Sequence, residues 1–213
     1  MKWMKGSKDN NLLSKNLHDI LIGIMLGDGH IYKSSPTSNS RFEMSFGKDR
    51  ISFATWVGDL FKDYSKNGIK KIYYNDNILN PKFGYRLKTQ TLPLFNFYHD
   101  LFYKRDNKLW KFEKIVPENI NELMNSTVLA YLIMCDGNFD KSRNRIRIYT
   151  NSYSRLDVTK LAESINSNLK IYVGVLHDRN DQWILTIGVK QLDNLRVLLK
   201  PHFESSMLYR LGL

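Results

Sequence analysis

The stretch Leu21-Ile22-Gly23-Ile24-Met25-Leu26-Gly27-Asp28-Gly29 decides the fold, and a second stretch of the same kind follows it: Leu129-Ala130-Tyr131-Leu132-Ile133-Met134-Cys135-Asp136-Gly137. Each pattern predicts an apolar helix that ends on a carboxylate followed by a glycine. An Asp is unfavourable at a helix C-terminus, because the free carbonyl groups there already carry partial negative charge. We therefore expect a cation at each helix end.

The groups expected to hold this cation are oxygen atoms. The carboxylates of Asp28 and Asp136, with the backbone carbonyls of Gly27 and Cys135, form oxygen ligand sets suited to Mg²⁺ or Ca²⁺. The glycine after each Asp fits the position just beyond a helix end, where only glycine adopts a left-handed backbone at low cost. We predict that backbone at both glycines.

Small residues predict that the two helices pack against each other. Gly23 and Gly27 lie four apart, so they share one helix face on which a second helix can approach closely. In the second copy, Tyr131 is predicted to face Gly23 and Cys135 to face Gly27. A single apolar run ending in Asp-Gly is typical of many core helices, whereas two runs with the same following pattern indicate a functional repeat.

The composition is that of a globular, basic protein. The 213 residues, 42% of them hydrophobic, are enough for one large domain or two of about 100 residues. The 32 Lys and Arg against 21 Asp and Glu give a net charge of +11, which favours an anionic partner such as nucleic acid. One cysteine excludes internal disulfides and cysteine-based zinc sites and indicates a reducing compartment. No apolar run is long enough to cross a membrane.

The same order of elements is predicted twice. The first copy has strands at 30–33 and 41–46 joined by a loop, a helix at 49–66, strands at 70–75 and 83–89, and a helix from Thr91. The second has a helix at 126–136, strands at 138–140 and 143–150, a helix at 154–168 that starts with a capping box, strands at 170–177 and 182–189, and a helix through Leu199. Pro117 is expected to prevent regular structure in the linker between them. The predicted division is residues 1–104, a linker at 105–125, and residues 126–213.

The paired motifs resemble those of the LAGLIDADG homing endonucleases, in the form with both motifs in one chain, over residues 17–211 or so. The resemblance implies an α+β fold of two pseudo-symmetric αββαββα halves with saddle-shaped antiparallel sheets. It also implies Asp28 and Asp136 as ligands of Mg²⁺, with Ca²⁺ as a non-cleaving substitute and Mn²⁺ as another active ion. The implied activity is cleavage of both strands of a long asymmetric DNA target by a mitochondrial, intron-encoded monomer that needs no protein partner.

Two further positively charged groups are expected to stabilise the negative charge that develops on the phosphate during phosphodiester cleavage. Lys114, in Lys114-Ile115-Val116-Pro117, resembles the Lys-x-x-Pro segment that the family places before the second motif, although a plain linker lysine is the alternative. Arg210 lies in a terminal segment that resembles the end of a yeast family member, which has a lysine there. Asn151 matches a polar position that helps to order water and metal in the family.

A row of basic residues predicts the DNA-binding surface. Arg143, Arg145, Arg147 and Tyr149 alternate with apolar or neutral residues, so a strand would place them on one face. Like charges side by side on a strand repel, which favours an anionic partner over the alternative of a solvated face. Arginine can also read guanine bidentately in the major groove. The other predicted DNA-binding residues are Lys33, Arg41, Lys70, Arg86, Lys88, Lys141, Tyr172, Gln182 and Thr186.

The main rival function is an RNA-binding maturase, built on the same fold, that acts on the host intron RNA. A structural DNA-binding module without catalysis is a third interpretation. The two acidic residues favour the nuclease, because a protein that only binds nucleic acid gains nothing from carboxylates that face phosphate.

Overall fold

A computed structural model describes residues 13–74, 82–106 and 111–213. In these ranges the α-helices are α1 (Lys15–Leu26), α2 (Ile51–Leu60), α3 (Leu94–Phe102), α4 (Ile120–Leu123), α5 (Ser126–Asp136), α6 (Arg155–Leu169) and α7 (Val189–Leu199). The strands are β1 (His30–Lys33), β2 (Ser40–Gly47), β3 (Ile69–Tyr73), β4 (Phe83–Lys88), β5 (Tyr103–Asp106), β6 (Lys111–Lys114), β7 (Gly137–Asp140), β8 (Arg145–Tyr149), β9 (Gly174–His177) and β10 (Trp183–Ile187).

The strands form two open antiparallel sheets with the same connectivity. The first sheet has the order β1-β2-β4-β3, and the second has β7-β8-β10-β9. Each sheet belongs to the sequence helix–strand–strand–helix–strand–strand–helix, once from α1 to α3 and once from α5 to α7. The predicted α+β class and the two αββαββα halves are thus confirmed.

The centre of the protein is the contact between α1 and α5. Every residue of α5 from Thr127 to Cys135 is buried, as expected of a core helix that is apolar on all sides. A Cβ atom added to Gly23 would lie 2.5 Å from the Val128 carbonyl oxygen and 2.7 Å from the Tyr131 Cβ. The two helices therefore approach closely along the glycine face.

The predicted partners across this interface are confirmed. Tyr131 faces Gly23, and a Cβ added to Gly27 would lie 2.5 Å from the Cys135 Cβ. The Tyr131 ring is buried beside α2, where its hydroxyl accepts a hydrogen bond from Trp56 Nε1 at 2.8 Å.

The predicted left-handed backbone of Gly29 and Gly137 is wrong. Gly137 has φ −77°, and the glycines with positive φ in the described ranges are Gly68 and Gly212. Glycine is required at positions 29 and 137 because neighbouring atoms leave no room for a side chain. A Cβ on Gly29 would lie 2.8 Å from Ile24 Cγ2, and one on Gly137 would lie 2.6 Å from Ile133 Cγ2. In both copies the strand after the motif turns back over an isoleucine of its own helix.

The prediction of an irregular linker is also wrong. The antiparallel hairpin β5–β6 and the short helix α4 lie in this segment, with Pro117 between them. The hairpin pairs Tyr103 with Lys114 and so fixes the position of that lysine. Residues 107–110, also assigned to the linker, lie outside the described residues, as do 1–12 and 75–81.

Helix starts follow the local sequence. The side chains of Ser14, Asn125 and Ser154 each accept a hydrogen bond from a backbone N–H in the first turn of α1, α5 and α6. At α6 the Asp157 backbone N–H donates to the Ser154 hydroxyl, which is one of the two hydrogen bonds of the predicted capping box, and the Ser154 hydroxyl donates to the Asp157 carboxylate. Among the described helices, none has both the length and the hydropathy that crossing a bilayer requires.

Replacing Gly23 by Ala should destabilise the fold, because the added methyl group meets backbone atoms that cannot move aside. Overpacking of this kind costs about 1–3 kcal/mol. The measurement is the urea unfolding midpoint. The matched control is Gly47→Ala, since that glycine has φ −65° and no neighbouring atom within 4 Å of an added Cβ. Equal midpoints for the two variants would show that α1 and α5 are not closely packed at residue 23.

Candidate active site and nucleic-acid surface

The two motif aspartates meet where α1 and α5 end. Asp136 is the last residue of α5, and Asp28 follows α1 by two residues. An Oδ2 atom of Asp136 lies 2.8 Å from the point that a Gly27 Cβ would occupy, so this carboxyl group packs directly on the end of the first helix. Close helix packing therefore brings both acids into one site.

The site disfavours two bare negative charges. Burial, and next the charge of Asp28, raises the pKa of Asp136 to about 7. Partial burial raises the pKa of Asp28 too, against the opposing effects of Arg50, Arg210 and Lys114. A cation close to both groups would stabilise their ionised forms.

Each helix end also has a cationic side chain on its backbone carbonyls. Lys114 Nζ donates to the carbonyl oxygens of Gly27 and Gly29, both at 2.8 Å, and burial lowers the pKa of this lysine to about 8. Arg210, only 7% exposed, donates through Nη1 to the carbonyl oxygen of Gly137. The structure thus places Lys114 at the end of α1 and Arg210 at the corresponding end of α5.

Two residues of this region were missed by the sequence analysis. Arg50 Nη1 lies 3.2 Å from Asp28 Oδ2, and the buried hydroxyl of Tyr153 donates to the Leu26 carbonyl at 3.1 Å. Neither residue is near its partner in the chain, and no local motif marks either one. Their contacts depend on the tertiary fold.

The donor set fits a hard divalent ion. Within the described residues no group of three or more His, Cys, Asp and Glu side chains could hold a metal. A pair of carboxylates with backbone carbonyls and substrate phosphates is instead the usual environment of Mg²⁺. Of the carbonyls predicted as ligands, that of Gly27 also accepts from Lys114, while the Cys135 thiol is buried against Gly27. The oxygen atoms present therefore suit the ion that the sequence predicts.

Asn151 follows strand β8 of the second sheet by two residues. Its Nδ2 donates to Gln182 Oε1 at 2.8 Å and to Asp178 Oδ2 at 3.4 Å. Asp178 also accepts from Arg147 Nη2 at 2.9 Å. The structure thus connects Asn151 with predicted DNA-binding residues, whereas its predicted role in ordering water and metal stays a prediction.

The first sheet has a polar face beside Asp28. A cavity of about 220 Å³ lies between them, lined by Asp28, His30, Glu43, Met44, Ser45 and Arg86. Register pairs Arg86 with both Ser45 and Lys70, and Lys88 with Glu43. Arg41 lies on the same face by alternation along β2. Lys33 lies on the opposite face of β1, because it is two residues from the buried Ile31 and pairs with the buried Ser40; its predicted contact with DNA stays a prediction.

The second sheet also has the predicted alternation. Arg145 and Arg147 are partly exposed while Ile146 and Ile148 are buried, and Tyr149 continues the exposed side. Thr186 pairs with Arg147 across β8 and β10 and so joins this face. Arg145, Arg147, Tyr149 and Thr186 therefore share one face of the second sheet.

Three of the predicted DNA-binding residues lie outside their predicted strands, and a fourth, Lys141, lies in the turn where a loop was predicted. Lys141 and Arg143 belong to the β7–β8 turn, because Asn144 has φ 45° and β8 starts only at Arg145. Tyr172 is 64% exposed but precedes β9, because α6 extends to Leu169 and Lys170 ends it with φ 57°. Gln182 precedes β10 by one residue. All four remain at the surface, at the margins of the second sheet.

Known proteins share both the sequence pattern and the fold. The intron-encoded endonuclease ai4 of Dictyostelium discoideum is 27% identical over 165 residues, 72% of this chain and 99% of that protein. The cytochrome b mRNA maturase bI2 of Saccharomyces cerevisiae is 24% identical, over 98% of this chain and 50% of its own length. The solved structure of the homing endonuclease I-WcaI bound to its DNA recognition sequence superposes with a TM-score of 0.82 at 19% identity, covering 94% of this chain and 87% of that one.

The structural match shows the fold alone, since the identity is low. The sequence profile of the LAGLIDADG DNA endonuclease family, however, matches residues 18–195, most of the chain. The chain therefore belongs to the LAGLIDADG DNA endonuclease family.

Proposed function

We propose that this protein is a site-specific endonuclease that cuts both strands of double-stranded DNA. The observation that carries the proposal is the pair of carboxylates held together at the ends of α1 and α5, each helix end with its own cation on the carbonyl groups. Two sites beside two basic sheets suit two phosphodiester bonds of one duplex. The solved relative I-WcaI, bound to its DNA recognition sequence, supports this assignment.

In this proposal Asp28 and Asp136 hold Mg²⁺, together with the carbonyl oxygens of Gly27 and Cys135. The ion supplies an activated water and stabilises the leaving oxygen. Crystal structures of I-DmoI with DNA and Mn, and with DNA and Ca, support the use of a divalent ion at this fold. Magnesium as the native ion, and calcium as a substitute that does not support cleavage, belong to the proposal.

The cationic side chains act on the phosphate. Arg50, beside Asp28, and Lys114 stabilise negative charge that develops in the first site, and Arg210 does so in the second. Lys114 can also hold or release a proton near neutral pH, since burial lowers its pKa to about 8. An arginine stays protonated. The two sites therefore differ in the proton chemistry of one residue.

A maturase is the second candidate, because the yeast maturase bI2 matches nearly the whole of this chain. The intron that encodes the protein would then be its RNA partner, and the mitochondrion its proposed location. The division into residues 1–104, 105–125 and 126–213 is likewise a proposal, supported by the repeated sheet order. Retained splicing activity in a variant that cannot cut DNA would support the maturase function in addition to the endonuclease.

Replacing Asp28 or Asp136 by Asn should slow double-strand cutting by about 10²-fold or more, because a neutral amide is a poor ligand for a divalent ion. DNA binding should change little, since the side-chain shape is kept. The measurements are single-turnover linearisation of a target plasmid with Mg²⁺ and a gel-shift titration.

The matched control is Asp193→Asn, which removes a carboxylate that is 97% exposed on α7 and paired with Arg196. This variant should cut at the wild-type rate. Wild-type linearisation by the Asp28→Asn, Asp136→Asn double variant would rule out the two acids as metal ligands.

The two strands should be cut at different rates, because Lys114 can transfer a proton and Arg210 cannot. Nicked plasmid should accumulate, with the same strand cut in most molecules, and Arg210→Lys should reduce the nicked fraction. A time course at saturating enzyme with end-labelled strands measures both effects. Random strand choice that Arg210→Lys leaves unchanged would place Arg210 outside the chemistry.

A further inference from the structure

Two arginines occupy equivalent positions in the two halves. In the first sheet Arg41 pairs in register with Tyr32, and in the second Arg145 pairs with Asp140. Tyr32 and Asp140 each lie four residues after a motif aspartate. The internal repeat therefore superposes Arg41 on Arg145.

Both arginines are held in the same manner although their surroundings differ. Arg41 donates through Nε to Glu43 Oε1 at 2.6 Å, and Arg145 donates through Nε to Asp140 Oδ2 at 3.1 Å. The guanidinium of Arg41 also lies 4.2 Å from the centre of the Tyr32 ring. The carboxylate comes from the same strand in one half and from the opposite strand in the other. The feature that both halves share is the hydrogen bond from the arginine Nε to a carboxylate oxygen.

The carboxylates are themselves fixed. Asp140 accepts from the Ser142 hydroxyl at 2.7 Å and from the Arg143 backbone N–H at 3.3 Å. Glu43 Oε2 lies 3.4 Å from Lys88 Nζ. Each arginine is therefore oriented by an acid that has a second partner of its own.

A bond at Nε leaves the two terminal nitrogens of the guanidinium to act as a pair. This pair of donors matches the O6 and N7 acceptors of guanine in the major groove. Arg147 differs, because its Nη2 donates to Asp178. Its Nε is buried and has no hydrogen-bond partner within the described residues. The two terminal nitrogens of Arg147 are therefore not both directed at one base.

The acids also argue against a phosphate contact at these two positions. A carboxylate beside the guanidinium cancels much of its charge and would repel a phosphate group. Phosphate contacts suit lysines such as Lys70 and Lys141, which are exposed at the sheet margins. A base edge, which carries no net charge, suits an arginine paired with an acid.

We propose that Arg41 and Arg145 each read one guanine, at equivalent positions of the two half-sites, and that Glu43 and Asp140 are the positioning residues of these arginines. The inference rests on the proposed DNA endonuclease function. Because the halves are related by a pseudo-two-fold axis, the two guanines lie on opposite strands at equal distances from the cleavage centre. A target that is asymmetric elsewhere thus contains one inverted pair of G·C base pairs.

The test is selection of bound duplexes from a randomised library, with Ca²⁺ in place of Mg²⁺, followed by affinity measurements on single-base variants of the selected target. Wild-type protein should prefer guanine at both positions by about tenfold or more over the other bases. Glu43→Ala should reduce the preference to about threefold or less in the first half-site only, and Asp140→Ala in the second only. Affinity for random DNA should stay the same or rise, because a negative charge has been removed.

Two further variants separate positioning from folding. Arg145→Ala removes the donor pair, so it should lose the guanine preference in the second half-site, whereas affinity for random DNA should change little because Asp140 already offsets the charge of Arg145. Asp193→Ala removes an exposed carboxylate from α7 and should leave the selected sequence unchanged.

The outcomes separate the guanine contacts from the endonuclease function. If wild-type protein enriches no duplex at all, the proposed endonuclease function is overturned. A selected target without the inverted guanines overturns this inference and leaves that function intact. Equal losses on cognate and random DNA in Arg145→Ala would show a phosphate contact and also overturn the inference.

Discussion

The close packing of α1 against α5 is the constraint on which the rest of the structure depends. Gly23 and Gly27 have no side chains, so the backbone of one helix lies directly on the other. Larger residues would separate the helix ends and with them Asp28 and Asp136. The repulsion between these acids is therefore imposed by packing. The surrounding cations and the predicted metal ion offset it.

Much of the fold could be predicted because its signals are local or repeat. The apolar runs ending in Asp-Gly identified α1 and α5, and the cap at Ser154 follows from short-range hydrogen bonding. Alternation along 145–149 predicted one polar face of β8, which burial of Ile146 and Ile148 confirms. These features need only the period of a helix or strand and the chemistry of a terminus.

The rest could not be predicted because it depends on distant contacts. The glycines after the motifs were assigned to a left-handed backbone, since a sequence does not show that Ile24 and Ile133 fill the space beside them. Lys114 was expected in an irregular linker, but β-pairing with Tyr103 holds it. Glu43 and Asp140, the acids that hold Arg41 and Arg145, were not among the predicted site residues. The pair of Arg145 with Asp140 depends on the register of β7 and β8, which the sequence left open.

Two hydrogen bonds cross between the halves in opposite directions. Trp56, on α2, donates to the hydroxyl of Tyr131, and Tyr153, from the segment before α6, donates to the last turn of α1. Each motif helix thus depends on an aromatic residue from the other half. In a chimaera that joins one half of this chain to a half of a relative, a buried carbonyl and a tyrosine hydroxyl would lose these partners. Halves of such proteins are therefore expected to be exchangeable only when these two aromatic contacts are transferred with them.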